Sequence, residues 1–250
     1  MHQLRILSDL PTTSTHYDFI VVGGGTAGNV TNRLSENPAW RILVIESGPS
    51  HEGVLQTSVP FFFNRFFRQS QYNWTFTTTP QQALHGRITE YPQGHILGGG
   101  TSTKGMFYTR GSSSDFDRFA RVTGNPGWSW ENLQPYIRNN EQWATPADSH
   151  DAIGKFDPSV NGVDGIDAVT LPGLSRAADA LMVQASRELV GDFPFNQDMN
   201  SGSPLGLGWI PSTIKGGKRS SSATPHLVER KNLDVLFNTR VTRFFRTGDS

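Results

Sequence analysis

The 250-residue chain contains no cysteine, so disulfides, thiol nucleophiles and thiolate metal ligands are all excluded. It has no excess of charge: 22 Lys and Arg balance 22 Asp and Glu, which gives nothing to attract nucleic acid or another polyanion. Long apolar runs are also missing. No stretch approaches the ~18 apolar residues of a membrane-spanning helix. Residues 1–15 hold no apolar core of about seven residues, so no secretory signal is expected in the chain as written. Only 35% of residues are hydrophobic, while 26 glycines and 15 prolines point to a loop-rich globular protein and not a helical bundle. The length suits one large domain or two ordinary ones and suffices to bury a core.

The most informative stretch is Tyr17-Asp-Phe-Ile-Val-Val-Gly-Gly-Gly-Thr-Ala-Gly28, followed by Leu43-Val-Ile-Glu46. It reads as strand, glycine turn, helix and second strand ending on an acid. Phe19 to Val22 are apolar and β-favouring, as expected of a strand buried on both faces. Gly23 permits the tight turn, Gly25 lets a pyrophosphate approach the backbone, and Gly28 allows close helix–strand packing. The helix that follows directs free N–H groups and a positive dipole end at the phosphates. Glu46 lies 18 residues after Gly28, where a carboxylate accepts from a ribose hydroxyl and disfavours a 2′-phosphate. NAD and FAD both satisfy this pattern.

Beyond Glu46 the compact βαβ pattern stops at the turn Ser47-Gly-Pro-Ser50. Residues 59–68 carry five phenylalanines, expected to be buried structurally or to wall a cofactor or substrate channel. Residues 73–79 and 86–91 alternate as short strands. A second glycine-rich loop, Gln93-Gly-His-Ile-Leu-Gly-Gly-Gly-Thr-Ser-Thr-Lys-Gly105, leads into Met106. Residues 115–120, 130–138 and 175–189 have helical periodicity, and residues 233–237 and 241–245 read as consecutive strands. No GxSxG elbow and no metal-ligand spacing occurs.

Several motifs, in order, resemble the glucose–methanol–choline (GMC) family of flavin oxidoreductases, and within it the fungal aryl-alcohol oxidases and pyranose dehydrogenases. They are the first glycine loop with Glu46-Ser-Gly-Pro49, Asn73-Trp74, Ile96-Leu-Gly-Gly-Gly-Thr-Ser102 and Tyr108-Thr-Arg-Gly111. Further along come Phe195-Asn-Gln-Asp-Met199, Pro204-Leu-Gly-Leu-Gly-Trp209 and Arg219-Ser-Ser-Ser-Ala-Thr224. The likeness runs from about residue 8 to the last residue. It implies an α/β fold: an incomplete FAD-binding, Rossmann-like three-layer domain with part of a substrate or cap domain. The FAD-binding parts would be about 16–50, 86–125 and 215–250, and the cap parts about 51–85 and 126–214.

The resemblance also implies FAD, and oxidation of an alcohol or sugar hydroxyl by hydride transfer to the flavin. Gly23, Gly25, Thr26, Ala27 and Gly28 would hold the ADP half, with Glu46 on the adenosine ribose. Leu97, Gly98, Gly99, Thr101, Ser102, Thr103 and Lys104, with Gly105 and Met106, would run along the pyrophosphate and isoalloxazine. Val241 matches a position whose backbone meets the adenine. The second loop departs from the family pattern: His95 replaces a basic residue, and Lys104 replaces Asn or His. Thr103 stands where pyranose dehydrogenases link a histidine covalently to the flavin, so FAD is expected to be non-covalent. Lys104 is either a solvated side chain or a cation beside the flavin.

Family members are longer and carry their catalytic histidine, paired with His or Asn, near the C-terminus. None of His2, His16, His51, His85, His95, His150 or His226 occupies that motif, and each is expected to be a surface or structural residue. No catalytic residue is therefore expected, and the incomplete sheet invites a partner chain. Relatives in this branch are typically secreted, and the compartment stays open. Two other readings stand: a truncated, non-catalytic remnant that binds FAD weakly or not at all, and an NAD-dependent dehydrogenase, against which the second glycine loop argues.

Overall fold

A computed structural model describes residues 5–7, 9, 16–68, 70–174, 176–189, 191–224 and 230–246. The chain divides into two compact units, residues 1–105 with 221–250, and residues 106–220. Residues 51–85, expected with the cap, thus cluster with the first unit, and residues 106–125 and 215–220 with the second.

The first unit is built on four parallel strands: β1 (Arg5–Leu7), β2 (Phe19–Val22), β3 (Ile42–Ile45) and β4 (Leu233–Leu236), in the order β1-β4-β3-β2. Phe19 pairs with Ile42 and Val22 with Ile45, while Leu233 pairs with Ile42 and Leu236 with Ile45. This even register brings the C-terminal ends of β2, β3 and β4 to one level, so the turns that follow them converge. Ile42, Val44, Leu233 and Val235 are fully buried and pack with Leu97 and Ala223. Parallel strands of this kind need both faces covered, and β3 and β4 have that cover.

Strand β2 does not. Phe19 and Val21 pack against the core, but Ile20 and Val22 are 57% and 45% exposed. The expected burial on both faces fails because β2 is the outer strand among the described residues. Residues 241–245, read as a strand, also lack regular structure. Phe244 and Phe245 are exposed, and among the described residues no strand offers them a ladder. The strands expected over 73–79 and 86–91 shorten to Phe76–Thr77 and Glu90–Tyr91, an exposed two-stranded ribbon with no core face to extend it. The phenylalanine-rich segment forms the 3₁₀ turns Pro60–Arg68, where Phe66 is buried and Phe61 is exposed.

In the second unit the helices Ser113–Thr123, Trp130–Asn140 and Ala177–Glu188 match the expected periodicity. The first two are capped by Ser112 and Ser129, whose hydroxyls accept from the amides of Asp115 and Asn132. Strands Glu141–Trp143 and Asp167–Val169 pair in parallel over a core containing Ala168, Val169 and Leu171. A buried ion pair joins Arg110 to Glu141, at 3% and 1% exposure. Arg110 Nε donates to Glu141 Oε1 at 2.8 Å, the Gly162 amide donates to Oε2 at 3.0 Å, and the Tyr108 hydroxyl also donates to this carboxylate. Arg110 reaches the carbonyls of Val160 and Asn200 as well, so the pair is hydrogen-bonded on both sides. Among the described residues no helix is long and apolar enough to cross a membrane.

Candidate functional site

The turn after β2 is shaped by its glycines. Gly23 has φ +95°, a conformation side-chain-bearing residues rarely adopt. Gly24 is the most confined: a Cβ there would stand 2.5 Å from Leu97 Cδ1 and 3.3 Å from Glu46 Oε2. By contrast a Cβ on Gly28 would meet only the Gly23 carbonyl at 4.0 Å, so the packing demand expected at Gly28 falls on Gly24. A 3₁₀ turn, Thr26–Gly28, opens the helix Asn29–Leu34. Among the described residues, the amides of Gly25, Thr26 and Ala27 donate to no carbonyl. Three successive unused donors at a helix start are a concave anion cradle.

Glu46 directly follows β3 and is buried, at 5% exposure. Its Oε2 accepts from the Gly24 amide and its Oε1 from the Gly48 amide, both at 2.7 Å. A carboxylate has about four acceptor sites, so it keeps capacity for a ligand hydroxyl. Gly48 itself is confined, since a Cβ would run into the backbone of His95 and Ile96. The chain leaving β4 turns at Asn238, with φ +53°, and donates from Thr239 to the Glu46 carbonyl at 3.0 Å. This return places Arg240 and Val241 beside Gly23 and Ser47. Together with Trp74 and Phe76 they line a cavity of about 270 Å³.

The second glycine loop docks on the first. The Gly98 amide donates to the Gly24 carbonyl at 2.8 Å, and a Cβ on Gly99 would lie 2.9 Å from Gly25 Cα. Gly98 has φ +89° and sits over Ser102, whose hydroxyl donates to the Leu97 carbonyl at 2.8 Å. Ser222 locks the pair: its hydroxyl donates to the Gly25 carbonyl at 3.0 Å and lies 2.9 Å from the Thr101 hydroxyl. Neither Gly24 nor Ser222 was among the expected binding residues. Their place in a triple-glycine run and a triple-serine run was the only signal.

The remaining expected residues divide between two places. Thr103 and Lys104 line a second cavity of about 160 Å³ with Gly100, Phe66, Tyr72 and Asn73. Gly105 faces the Phe63 ring, whereas Met106 belongs to the second unit, buried with φ +67° and accepting from Thr213 at 2.9 Å.

Of the histidines, His16 and His85 are exposed. His95 packs 4.3 Å from the Trp74 ring, and His150 lies 2.6 Å from Asp148. Burial holds the His51 imidazole below its ordinary range. His2 and His226 lie outside the described residues. None of the described histidines hydrogen-bonds a second His or an Asn, and no group of three His, Asp or Glu among the described residues could hold a metal ion.

A dinucleotide cradle on a parallel sheet, clasped by a second glycine loop, defines the FAD-binding class of Rossmann-like α/β proteins. Residues 17–250 match the GMC oxidoreductase model, and the chain belongs to that family, as its N-terminal FAD-binding domain. It is 44% identical to a pyranose dehydrogenase of Agaricus campestris over 243 residues, covering 96% of this chain and 40% of that protein. It is 41% identical to dehydrogenase eriK of Hericium erinaceus over 239 residues, covering 94% and 40%. Among solved structures it resembles pyridoxine 4-oxidase from Mesorbium loti, with TM-score 0.79, 28% identity and coverage of 93% and 44%. An FAD-dependent oxidoreductase from Chaetomium thermophilum gives 0.78, 32%, and coverage of 88% and 38%. The chain thus spans about 40% of the length of the curated relatives it matches.

Proposed function

We propose that this chain holds FAD non-covalently in its first unit, as the cofactor-binding part of an oxidoreductase acting on the CH–OH group of an alcohol or sugar. The observation that carries this reading is the junction where Gly24 bonds both Glu46 and Gly98. The amides of Gly25, Thr26 and Ala27 would donate to the diphosphate, and Glu46 would accept from the adenosine ribose. The cavity beside Trp74 and Val241 has room for the adenine ring. Leu97 to Gly105 would follow the rest of the cofactor, with Thr103 and Lys104 on the flavin side. When bound, FAD supplies the ring that accepts hydride. The Thr103 hydroxyl does not form the link to the flavin methyl carbon that a histidine forms, which supports a dissociable cofactor. The second unit would belong to the substrate side. We assign no catalytic residue, because no described histidine has the paired arrangement suited to taking a hydroxyl proton.

The test is spectroscopic. Purified chain supplied with FAD should show a bound flavin spectrum, and acid precipitation should leave all flavin in the supernatant. A protein that takes up no FAD overturns the binding reading. Flavin in the pellet overturns the non-covalent one.

A further inference from the structure

The second unit carries a cleft of about 630 Å³ along the helix Ala177–Glu188, a volume typical of small-molecule sites. Two aromatic rings line it, Trp209 and Phe195, both half-buried. Each has a cation over its face: Lys155 Nζ lies 5.3 Å from the Trp209 centroid and Arg187 Cζ 5.7 Å from that of Phe195. Arg176, at the helix N-cap, adds a third cation, on the side where the helix dipole is already positive. Among the described residues none of these three cations has a carboxylate within ion-pair distance. Among the described residues the only acid lining the cleft is Asp179, and its carboxylate accepts from the Arg176 amide at 2.8 Å. Three cations against one acid leave a formal charge of +2 around two ring faces.

We propose that this cleft binds a small aromatic carboxylate of one or two rings. The ring would lie against Trp209 or Phe195, and the carboxylate would pair with Arg187, Lys155 or Arg176. Guanidinium groups suit a carboxylate through their planar fork of donors. A neutral sugar would use the aromatic faces but leave the cations unpaired, so charge separates the two ligand classes. All six residues lie in the second unit, and the inference does not depend on cofactor binding.

The probe is 2-naphthoate, titrated calorimetrically into the intact chain, with 2-naphthylmethanol and glucose as neutral controls. We expect sub-millimolar binding of 2-naphthoate, at least about tenfold tighter than either control, and weakened when ionic strength is raised to 0.5 M. Arg187→Gln and Lys155→Gln should each weaken 2-naphthoate severalfold, and Trp209→Leu should weaken both naphthyl compounds. Arg187 is exposed, so Arg187→Gln remains informative if Trp209→Leu does not fold. Equal affinity for naphthylmethanol, tighter binding of glucose, or 2-naphthoate affinity unchanged in Arg187→Gln and Lys155→Gln would each overturn the proposal.

Discussion

At the scale of single residues, neighbouring glycines do different work. Gly98 combines φ +89° with contact to the Ser102 hydroxyl, so a methyl group there strains the backbone and displaces a buried hydrogen bond. Gly98→Ala should lower the unfolding free energy by about 2 kcal/mol, read as a fall in the urea midpoint. Gly25 has negative φ and its nearest neighbour would lie 3.8 Å from a new Cβ, but its ψ of −146° lies outside the helical and extended basins. Gly25→Ala should therefore cost less than Gly98→Ala, about 1 kcal/mol, while weakening FAD uptake, as the methyl group crowds the amide cradle. His51 supplies a pH test. Burial lowers its folded pKa below 6.5, so below pH 6.5 the unfolded chain binds the extra proton and stability falls. His51→Gln should flatten the loss of urea midpoint between pH 7.5 and 5.5. An unchanged slope would show that other groups carry it. The motif in the sequence located this cluster but could not rank Gly23, Gly24 and Gly25, because the ranking depends on Leu97 and Gly99, more than 70 residues away.

At the scale of elements, the helices were legible and the strands less so. Ser112 and Ser129 cap helices whose apolar spacing is local, so short-range sequence suffices to place them. A strand needs a neighbour as well as a pattern, and residues 241–245 have the pattern alone. The clasp between the glycine loops was equally hidden, since Ser222 meets Gly25 across 197 residues. Ser222→Ala should cost about 1 kcal/mol and reduce FAD affinity more than stability, measured by flavin titration beside thermal unfolding. In the second unit Arg110 and Glu141 act as one buried group. Arg110→Met leaves the Glu141 charge without its partner and should cost about 3–5 kcal/mol, whereas the double variant Arg110→Met, Glu141→Leu should recover part of that loss. Additive losses in the cycle would show that the two side chains are not coupled.

At the scale of the molecule, Ile20 and Val22 leave an apolar face on β2, the outer strand of its sheet among the described residues. An exposed apolar strand edge of this kind favours association between copies of the chain. The isolated chain should then self-associate as concentration rises, and Ile20→Lys should raise the monomer fraction in sedimentation with an unchanged circular dichroism spectrum. Even when loaded with FAD, the 250-residue chain should not turn over aryl alcohols or sugars with quinone as acceptor. Activity that a histidine substitution within it abolishes would contradict this. The sequence by itself determined the α/β class, the two glycine loops, the acid directly after β3 and membership of a flavin-dependent family. Each of these rests on residues close together in the chain or on motifs in a set order. Only the tertiary structure decided that Gly24 joins Glu46 to the second loop, that Ser222 clasps both, that Met106 belongs to the other unit, and that β2 lies at an edge. Those facts are contacts between residues 20 to 200 positions apart, and a one-dimensional pattern does not encode which distant neighbour fills the space beside a backbone atom.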